Sequence, residues 1–482
     1  MPAALDVLLA ALPIALVAGL LALRVKPIPA ILITIGVTLA LSFRFAMTPE
    51  TLADSIQSLL PVTITVVLII FGGIMLAEFL SVSGAQEKIG GWLAGATHGR
   101  DRAVLLLGLG ITPLAESIIG WGVGVIIGVP LFMRIGLNAT KSATLGLLAL
   151  VVAPWGSLAP GIIVMSEIGG VDLRALGVWS AILNLPALLI LGIAISIVGM
   201  GARGALRMAG ETLGTVLIMW LALVAANAWL GVPLAGVLAS FAAIAVVLVL
   251  ARLRGPIPSM GRDTLASLMP YLLLVVGLLL TTAVAAVFDL GAFGDVASSP
   301  ALWLLVAAAS APLLLGTGRA DATTSVRRAL VLFWPVTVVT ILFITFGGLL
   351  SANGMTSTLA QAAAMLGTGF LLVIPVIGFI GGYVTASNTA VSAMFAGGVA
   401  EAAGSLGANP AVALAAQNVS TGAAVMTAPS RVALAISVAD GLRRSGEEAA
   451  RPAKAIATVL IANAAIMVTL APLTLLLATA SF

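Results

Sequence analysis

Apolar runs of about twenty residues, separated by short polar gaps, recur along the whole chain. They lie near 5–23, 27–43, 59–80, 141–165, 175–198, 212–230, 234–250, 268–288, 300–316, 329–350, 410–438 and 455–477. A helix rising 1.5 Å per residue needs about twenty apolar residues to cross a hydrocarbon layer. The pattern therefore predicts an all-α polytopic membrane protein with about twelve transmembrane helices. Two further segments, 103–135 and 366–403, are too long for one straight span and too short for two well-connected ones. Both have a polar, glycine-rich middle: ITPLAESIIGWGVG (Ile111 to Gly124) in the first and GGYVTASNTAVSA (Gly381 to Ala393) in the second. Each is either one broken span or a re-entrant hairpin, since non-helical backbone at membrane depth persists only when buried in protein or lining a cavity.

Charge decides between these alternatives. With the N-terminus outside and both segments re-entrant, the cytoplasmic loops collect the Lys and Arg residues from Arg24 and Lys26 through to Arg443, Arg444, Arg451 and Lys454. Arg44 and Arg174 remain outside and Arg431 falls inside a span, a marked positive-inside asymmetry. If 103–135 crossed once, Arg100 and Arg102 would be parted from Arg134 and Lys141 and every later loop would invert. The expectation is two re-entrant hairpins, the first opening from the cytoplasm and the second from outside, with both termini extracytoplasmic in a plasma (inner) membrane.

The two halves also resemble each other. PVTITVVLIIFGG (Pro61 to Gly73) parallels PVTVVTILFITFGG (Pro335 to Gly348), an interrupted segment follows each, and GLN (Gly136 to Asn138) precedes one broken span as GAN (Gly407 to Asn409) precedes the other. An odd number of crossings separates the copies, which predicts two inverted-topology repeats, about 5–200 and 265–480, joined by helices at about 210–252 within one integral membrane domain.

Composition sharpens the class. With 61% hydrophobic and 8% charged residues, the chain has no room for a soluble domain, and the first run reads as a retained span, not a cleaved signal. There is no cysteine, and the single histidine, His98, sits in a charged loop beside Arg100 and Asp101. Thiolate and histidine metal sites are thereby excluded, and the usual nucleophile and base sets of an enzyme are missing. No cofactor and no nucleic-acid partner are expected; the net charge of +4 reports orientation in the lipid bilayer.

Candidate chemistry lies at the breaks. Charge at membrane depth is expensive, of order 3 kcal/mol, and two charged residues lie there, Glu116 and Arg431. Arg431 suits a bidentate clamp on a substrate carboxylate, against snorkelling or a structural pair with Glu116. Glu116 suits proton uptake and release, against capping a hairpin tip. Thr385, Ser387, Asn388 and Thr389 can bind a carboxylate, a hydroxyl or a sodium ion, and can equally cap two half-helices. Facing them are expected Thr112, Ser117, Trp121 and Gly122 of the first hairpin, Trp155 and Ser157 in the break PWGS, and Gln417, Asn418, Ser420, Thr421, Ser430 and Arg431 around the last break. Trp121 and Trp155 would form the pocket wall.

These residues resemble the L-lactate permease family. The likeness is most specific at GGYVTASNTAVSAMFAG (Gly381 to Gly397) and LAAQNVSTGAAVMTAPS (Leu414 to Ser430), with LAESIIGWGVGVIIGVP (Leu114 to Pro130) similar to that family's first-half Glu-Gly segment. The chain departs at Ser117, Ile118 and Ile119, where the family is richer in Gly and Ala, and at Ser430 and Arg431, where it usually carries His-Asn. The resemblance implies a secondary active carrier with an elevator-like motion. It implies proton symport of L-lactate, glycolate or a related small organic carboxylate, with Glu116 as the coupling group. A sodium-coupled carrier of a dicarboxylate or sulfonate, and a passive anion channel, stand as alternatives, and a homodimer is left open.

Overall fold

The computed structural model describes residues 3–45, 47–288, 290–443 and 448–480. Arg444, counted above with the basic loops, lies outside them. Every regular element among the described residues is helical.

The chain opens with α1 (Ala4–Ala22) and α2 (Pro27–Ala40), followed by α3 (Pro49–Val82) and the short α4 (Ala85–Gly95). Next come α5 (Arg100–Leu105), a π-helical turn over Leu106–Ile111, α6 (Thr112–Ile119) and α7 (Val123–Arg134), then α8 (Ala139–Leu148), an unwound stretch, and α9 (Pro160–Gly169). The middle of the chain is α10 (Leu173–Leu183), α11 (Leu185–Arg207), α12 (Ala209–Ala225), α13 (Val232–Arg252), α14 (Arg262–Val287), α15 (Gly291–Ala297) and α16 (Pro300–Leu314). The last part is α17 (Arg319–Ala352), α18 (Met355–Ala364), α19 (Gly369–Thr385), α20 (Asn388–Ser405), α21 (Pro410–Val425), α22 (Pro429–Gly441) and α23 (Pro452–Thr479).

Ten helices among the described residues are long and apolar enough to cross a membrane, or eleven if the bent pair α15 and α16 is one span. This is fewer than the twelve expected, for local reasons. The run at 141–165 is interrupted between α8 and α9, α2 is only 14 residues long, and the run at 300–316 belongs to the bent pair. The run at 175–198 is two helices, Asn184 ending α10 and Pro186 standing in the first turn of α11, where a missing N–H costs nothing, and α11 alone is long enough to count. Conversely, Arg100–Ile119 qualifies by length although it forms one arm of the first interrupted segment.

Both interrupted segments are helical hairpins. The α5–α6 arm turns at Gly120–Gly122 and returns as α7 packed against α6; α19 turns at Ala386–Ser387 and returns as α20. Element order is the same in both parts: a 34-residue helix (α3, α17), a short helix of 11 or 10 residues (α4, α18), a hairpin, then an interrupted helix. The Gly-x-Asn motifs have one physical function. Gly136 (φ 84°) and Gly407 (φ 68°) adopt the left-handed conformation that ends a helix without a Cβ penalty. Two residues on, Asn138 and Asn409 cap α8 and α21, accepting from Lys141 N at 2.9 Å and Ala411 N at 2.9 Å. The long helices α3 and α17 lie along each other, while α20 packs on α9 and α19 on α21, so both arms of the second hairpin are held by interrupted helices.

Candidate functional site

The four interruptions meet. The tip of the first hairpin (Glu116, Gly120, Trp121), the break after α8 (Ala153, Pro154, Gly156, Ser157, Pro160, Gly161), the tip of the second hairpin (Ala386, Ser387, Asn388, Thr389) and the break between α21 and α22 (Val425, Arg431) line one cavity of about 50 Å³.

Its backbone is strained. Trp121, Ser157, Leu158, Ala159 and Ala386 all have φ between 54° and 64° without being glycine; elsewhere among the described residues only Arg24 and His98 are non-glycine residues with positive φ. Each such residue costs of order 1–3 kcal/mol and persists only where the surroundings over-determine it, as at binding sites. Three of them in succession, Ser157 to Ala159, form a left-handed turn that delivers the chain to Pro160, the first residue of α9.

Glu116 is 3% exposed and spans the hairpin tip: its Oε1 accepts from Gly122 N at 3.2 Å and its Oε2 from Gly124 N at 3.1 Å. The carboxylate thus caps the first turn of α7, where amides lack intrahelical acceptors and the helix dipole favours negative charge. Arg431 makes no ion pair within 4.0 Å among the described residues. Its guanidinium lies over Gly122, where any Cβ would collide with Nη1, and its Nε is buried without a partner. Trp121 Nε1 and Ser157 Oγ are likewise buried and unpartnered. A buried donor without an acceptor costs about 1–3 kcal/mol, and each of these groups has the capacity to hydrogen-bond a ligand or water.

The second hairpin is built for its tip. Thr385 Oγ1 donates to Gly381 O at 2.8 Å and accepts from Ser387 N at 3.2 Å, closing the end of α19. Ser387 Oγ accepts from Ala390 N at 3.2 Å and starts α20. Asn388 Nδ2 donates to Asn418 Oδ1 at 2.8 Å, and Asn418 Nδ2 donates to Ser180 Oγ at 2.9 Å. Close approach needs Gly161 opposite: a Cβ there would stand 2.6 Å from Asn388 Nδ2.

Among the residues singled out from the sequence, Glu116, Trp121, Ser157, Ser387, Asn388, Thr389 and Arg431 line the cavity. Gly122 supports it through its backbone. The rest face other neighbours. Ser117 lies against Gly236, where a Cβ would be 2.7 Å from its Oγ. Trp155 is fully buried with Nε1 donating to Asn227 Oδ1 at 3.2 Å, so it packs behind the break and is not part of the cavity wall. Thr421 donates to Gly378 O and Gln417 O, and Ser420 donates to Gln417 O, holding α21 to α19 and to itself. Gln417 is buried with neither amide atom partnered, away from the cavity. Thr112 Oγ1 is buried against Gly128, and Ser430 is exposed. Gly120, Ala153, Pro154, Gly156, Pro160, Gly161, Ala386 and Val425 complete the lining and carry no polar side chain.

A larger basin of about 1090 Å³ opens at one end of the bundle, bordered by Gln86 and Glu87 of α4, Ile126 to Arg134 of α7, Asn138 to Thr140, Leu442 and Glu448. The polar interruptions do not meet there; α7 lines the basin with its later turns, while its first turn holds Glu116 of the small cavity through the Gly124 amide.

Apolar helices interrupted around a shared polar cavity define a multi-pass membrane transporter. Comparison with known proteins narrows the class. The family described as L-lactate permease matches residues 6–293 and 278–477, and the chain belongs to that family, whose members are membrane transporters and not enzymes. A relative named L-lactate permease from Streptococcus iniae is 22% identical over 377 residues, covering 72% of this chain and 79% of its own length. In structure, the chain is similar to the YdaH transporter of Alcanivorax borkumensis, with a TM-score of 0.50, 14% identity and coverage of 90% of this chain and 88% of that one. MtrF of Neisseria gonorrhoeae gives a TM-score of 0.46 at 13% identity, covering 94% and 95%.

Proposed function

We propose that this protein is a secondary active carrier of a small 2-hydroxy carboxylate of the lactate and glycolate type, driven by protons across a plasma (inner) membrane. The observation that carries the reading is the convergence of four chain interruptions on one cavity whose unpartnered side chains include Trp121 Nε1 and Arg431 Nε, which only donate, and Ser157 Oγ. Such a set suits a carboxylate, with Arg431 supplying the charge and the planar donor geometry. Family membership and the printed name of the Streptococcus iniae relative support the substrate class.

Glu116 is the proposed coupling group. Protonating either oxygen turns an acceptor into a donor and sacrifices one of the bonds to Gly122 or Gly124, loosening the α7 end beside Arg431. Membership of a family of transporters favours a carrier that must rearrange over an open passive channel. The shared order of elements, with Gly-x-Asn before each interrupted helix, supports two inverted repeats over about 5–200 and 265–480. In this reading, the hairpins and interrupted helices move in an elevator-like manner against the α3 and α17 pair.

Ion pairs support the sorting of loops. Arg207 with Asp101 (2.6 Å), and Arg102 and Arg254 with Glu211 (both 2.8 Å), join loops the charge pattern assigns to the cytoplasm. Arg44 with Asp6 (2.8 Å) joins the two segments assigned outside, including the N-terminus. On that side assignment the large basin is the cytoplasmic mouth. Reconstitution in proteoliposomes with a panel of labelled 2-hydroxy acids, dicarboxylates and sulfonates, each under proton or sodium gradients, tests the proposal. Uptake of dicarboxylate or sulfonate driven by sodium alone would replace it with the alternative carrier.

A further inference from the structure

We infer that Asn388 reads the 2-hydroxyl of the substrate, with Asn418, Ser180 and the Pro154 carbonyl as positioning groups; this rests on the reading of the cavity as a 2-hydroxy carboxylate site. Of the unpartnered buried side-chain atoms lining the cavity, Trp121 Nε1 and Arg431 Nε can only donate and Ser157 Oγ can do either. Asn388 Oδ1 is the one that can only accept. Glu116 also lines the cavity, but each of its oxygens already takes an amide of the α7 end. A plain carboxylate brings acceptors alone. It would satisfy the donors and leave Asn388 Oδ1 desolvated and unpaired. A hydroxyl on the adjacent carbon supplies the missing donor, whereas a 2-oxo group sets a second acceptor against Oδ1.

The direction of the Asn388 amide is what makes it a reader. Its Nδ2 donates to Asn418 Oδ1 at 2.8 Å and lies 3.5 Å from Pro154 O. Turning the amide over would bring Oδ1 against the Pro154 carbonyl, which has no proton to offer. Asn418 is held in turn by its bond to Ser180 Oγ on α10 at 2.9 Å, and both residues are fully buried. The chain from α10 through α21 to the second hairpin tip thus presents a carbonyl oxygen, and not an NH₂ group, to the cavity.

The test is competition in proteoliposomes holding the full chain: uptake of labelled L-lactate against unlabelled propionate and pyruvate. A site built to hydrogen-bond a substrate hydroxyl rejects the analogue lacking it strongly, so the wild type should prefer lactate over both by at least about tenfold. In Asn388→Leu and Asn418→Leu that ratio should fall to within about threefold, and the milder Ser180→Ala should lower it in between. A merely structural role would reduce all three anions together and leave the ratio intact, and that result would overturn the assignment even if overall uptake dropped. A wild type that takes propionate or pyruvate as readily as lactate also removes it, without any variant. Uptake of none of the three by the wild type would instead sink the proposed function, and this inference with it.

Discussion

Replacing Glu116 by Ala strikes the one group that ties the first hairpin tip together. Its two oxygens accept from Gly122 N at 3.2 Å and Gly124 N at 3.1 Å, in a position 3% exposed. Removing both acceptors leaves two buried amides at the start of α7, each costing about 1–3 kcal/mol, or about 2–6 kcal/mol together. Glu116→Gln keeps one carbonyl oxygen and turns an NH₂ toward the other amide, so it should lose about half as much. Unfolding of the detergent-solubilised protein should therefore rank wild type above Gln above Ala. Hydrogen exchange reports the same event locally: the amides of residues 122–124 should exchange at least tenfold faster in the Ala variant, since about 1.4 kcal/mol is a factor of ten. Wild-type exchange at these amides in Glu116→Ala would refute the capping geometry, and with it the proposal that a proton on Glu116 loosens the tip.

Other expectations follow from the same contacts. Arg431→Ala and Arg431→Lys should each raise the apparent KM for a carboxylate by about 10- to 100-fold, Ala more than Lys, because a charge-assisted planar donor is worth about 1.5–3 kcal/mol. Unchanged KM in concentration-dependent uptake would take Arg431 out of the site. Gly122→Ala should impair uptake beyond what stability explains, since its Cβ would meet the Arg431 guanidinium at φ 87°, while Gly91→Ala, with open space around it, serves as the silent control. Glu211→Ala should destabilise the protein by about 3 kcal/mol by stranding Arg102, which is 7% exposed, whereas Asp6→Ala at the solvated Arg44 pair should cost under about 1 kcal/mol. Comparable denaturation midpoints for these two variants would contradict that ordering.

Polar residues inside apolar runs were legible because hydrocarbon tolerates them only where the chain breaks; Glu116, Trp121, Ser157, Ser387, Asn388 and Arg431 were all found this way and all line the cavity. What the pattern could not resolve was direction. Successive helical residues point about 100° apart, so a cluster such as Gln417 to Thr421 cannot face one cavity. Asn418 reaches Asn388, while Thr421 turns to Gly378 and Gln417 points elsewhere. The same rotation exposes Ser430 beside the inward Arg431. Trp155 reads as a wall residue from its position in the break PWGS, yet a large side chain beside a break can equally pack the space behind it, and its indole N–H donates to Asn227. Gly120, Pro160, Gly161, Ala386 and Val425 escaped notice because small and apolar residues contribute backbone and close approach, which hydropathy does not register. The count of long helices differs from the twelve runs for a related reason: apolarity alone cannot show that the run at 141–165 unwinds between α8 and α9 or that α2 is only 14 residues long.

The account turns on uphill, proton-driven movement of a small 2-hydroxy acid through the cavity at the hairpin tips. The most direct measurement is accumulation of labelled L-lactate in proteoliposomes under an imposed inward proton gradient, without sodium. The account predicts internal lactate rising above the external concentration, collapse of that excess by a protonophore, and its loss in Glu116→Gln. Equilibration without accumulation, or accumulation that needs sodium and ignores the proton gradient, would contradict it.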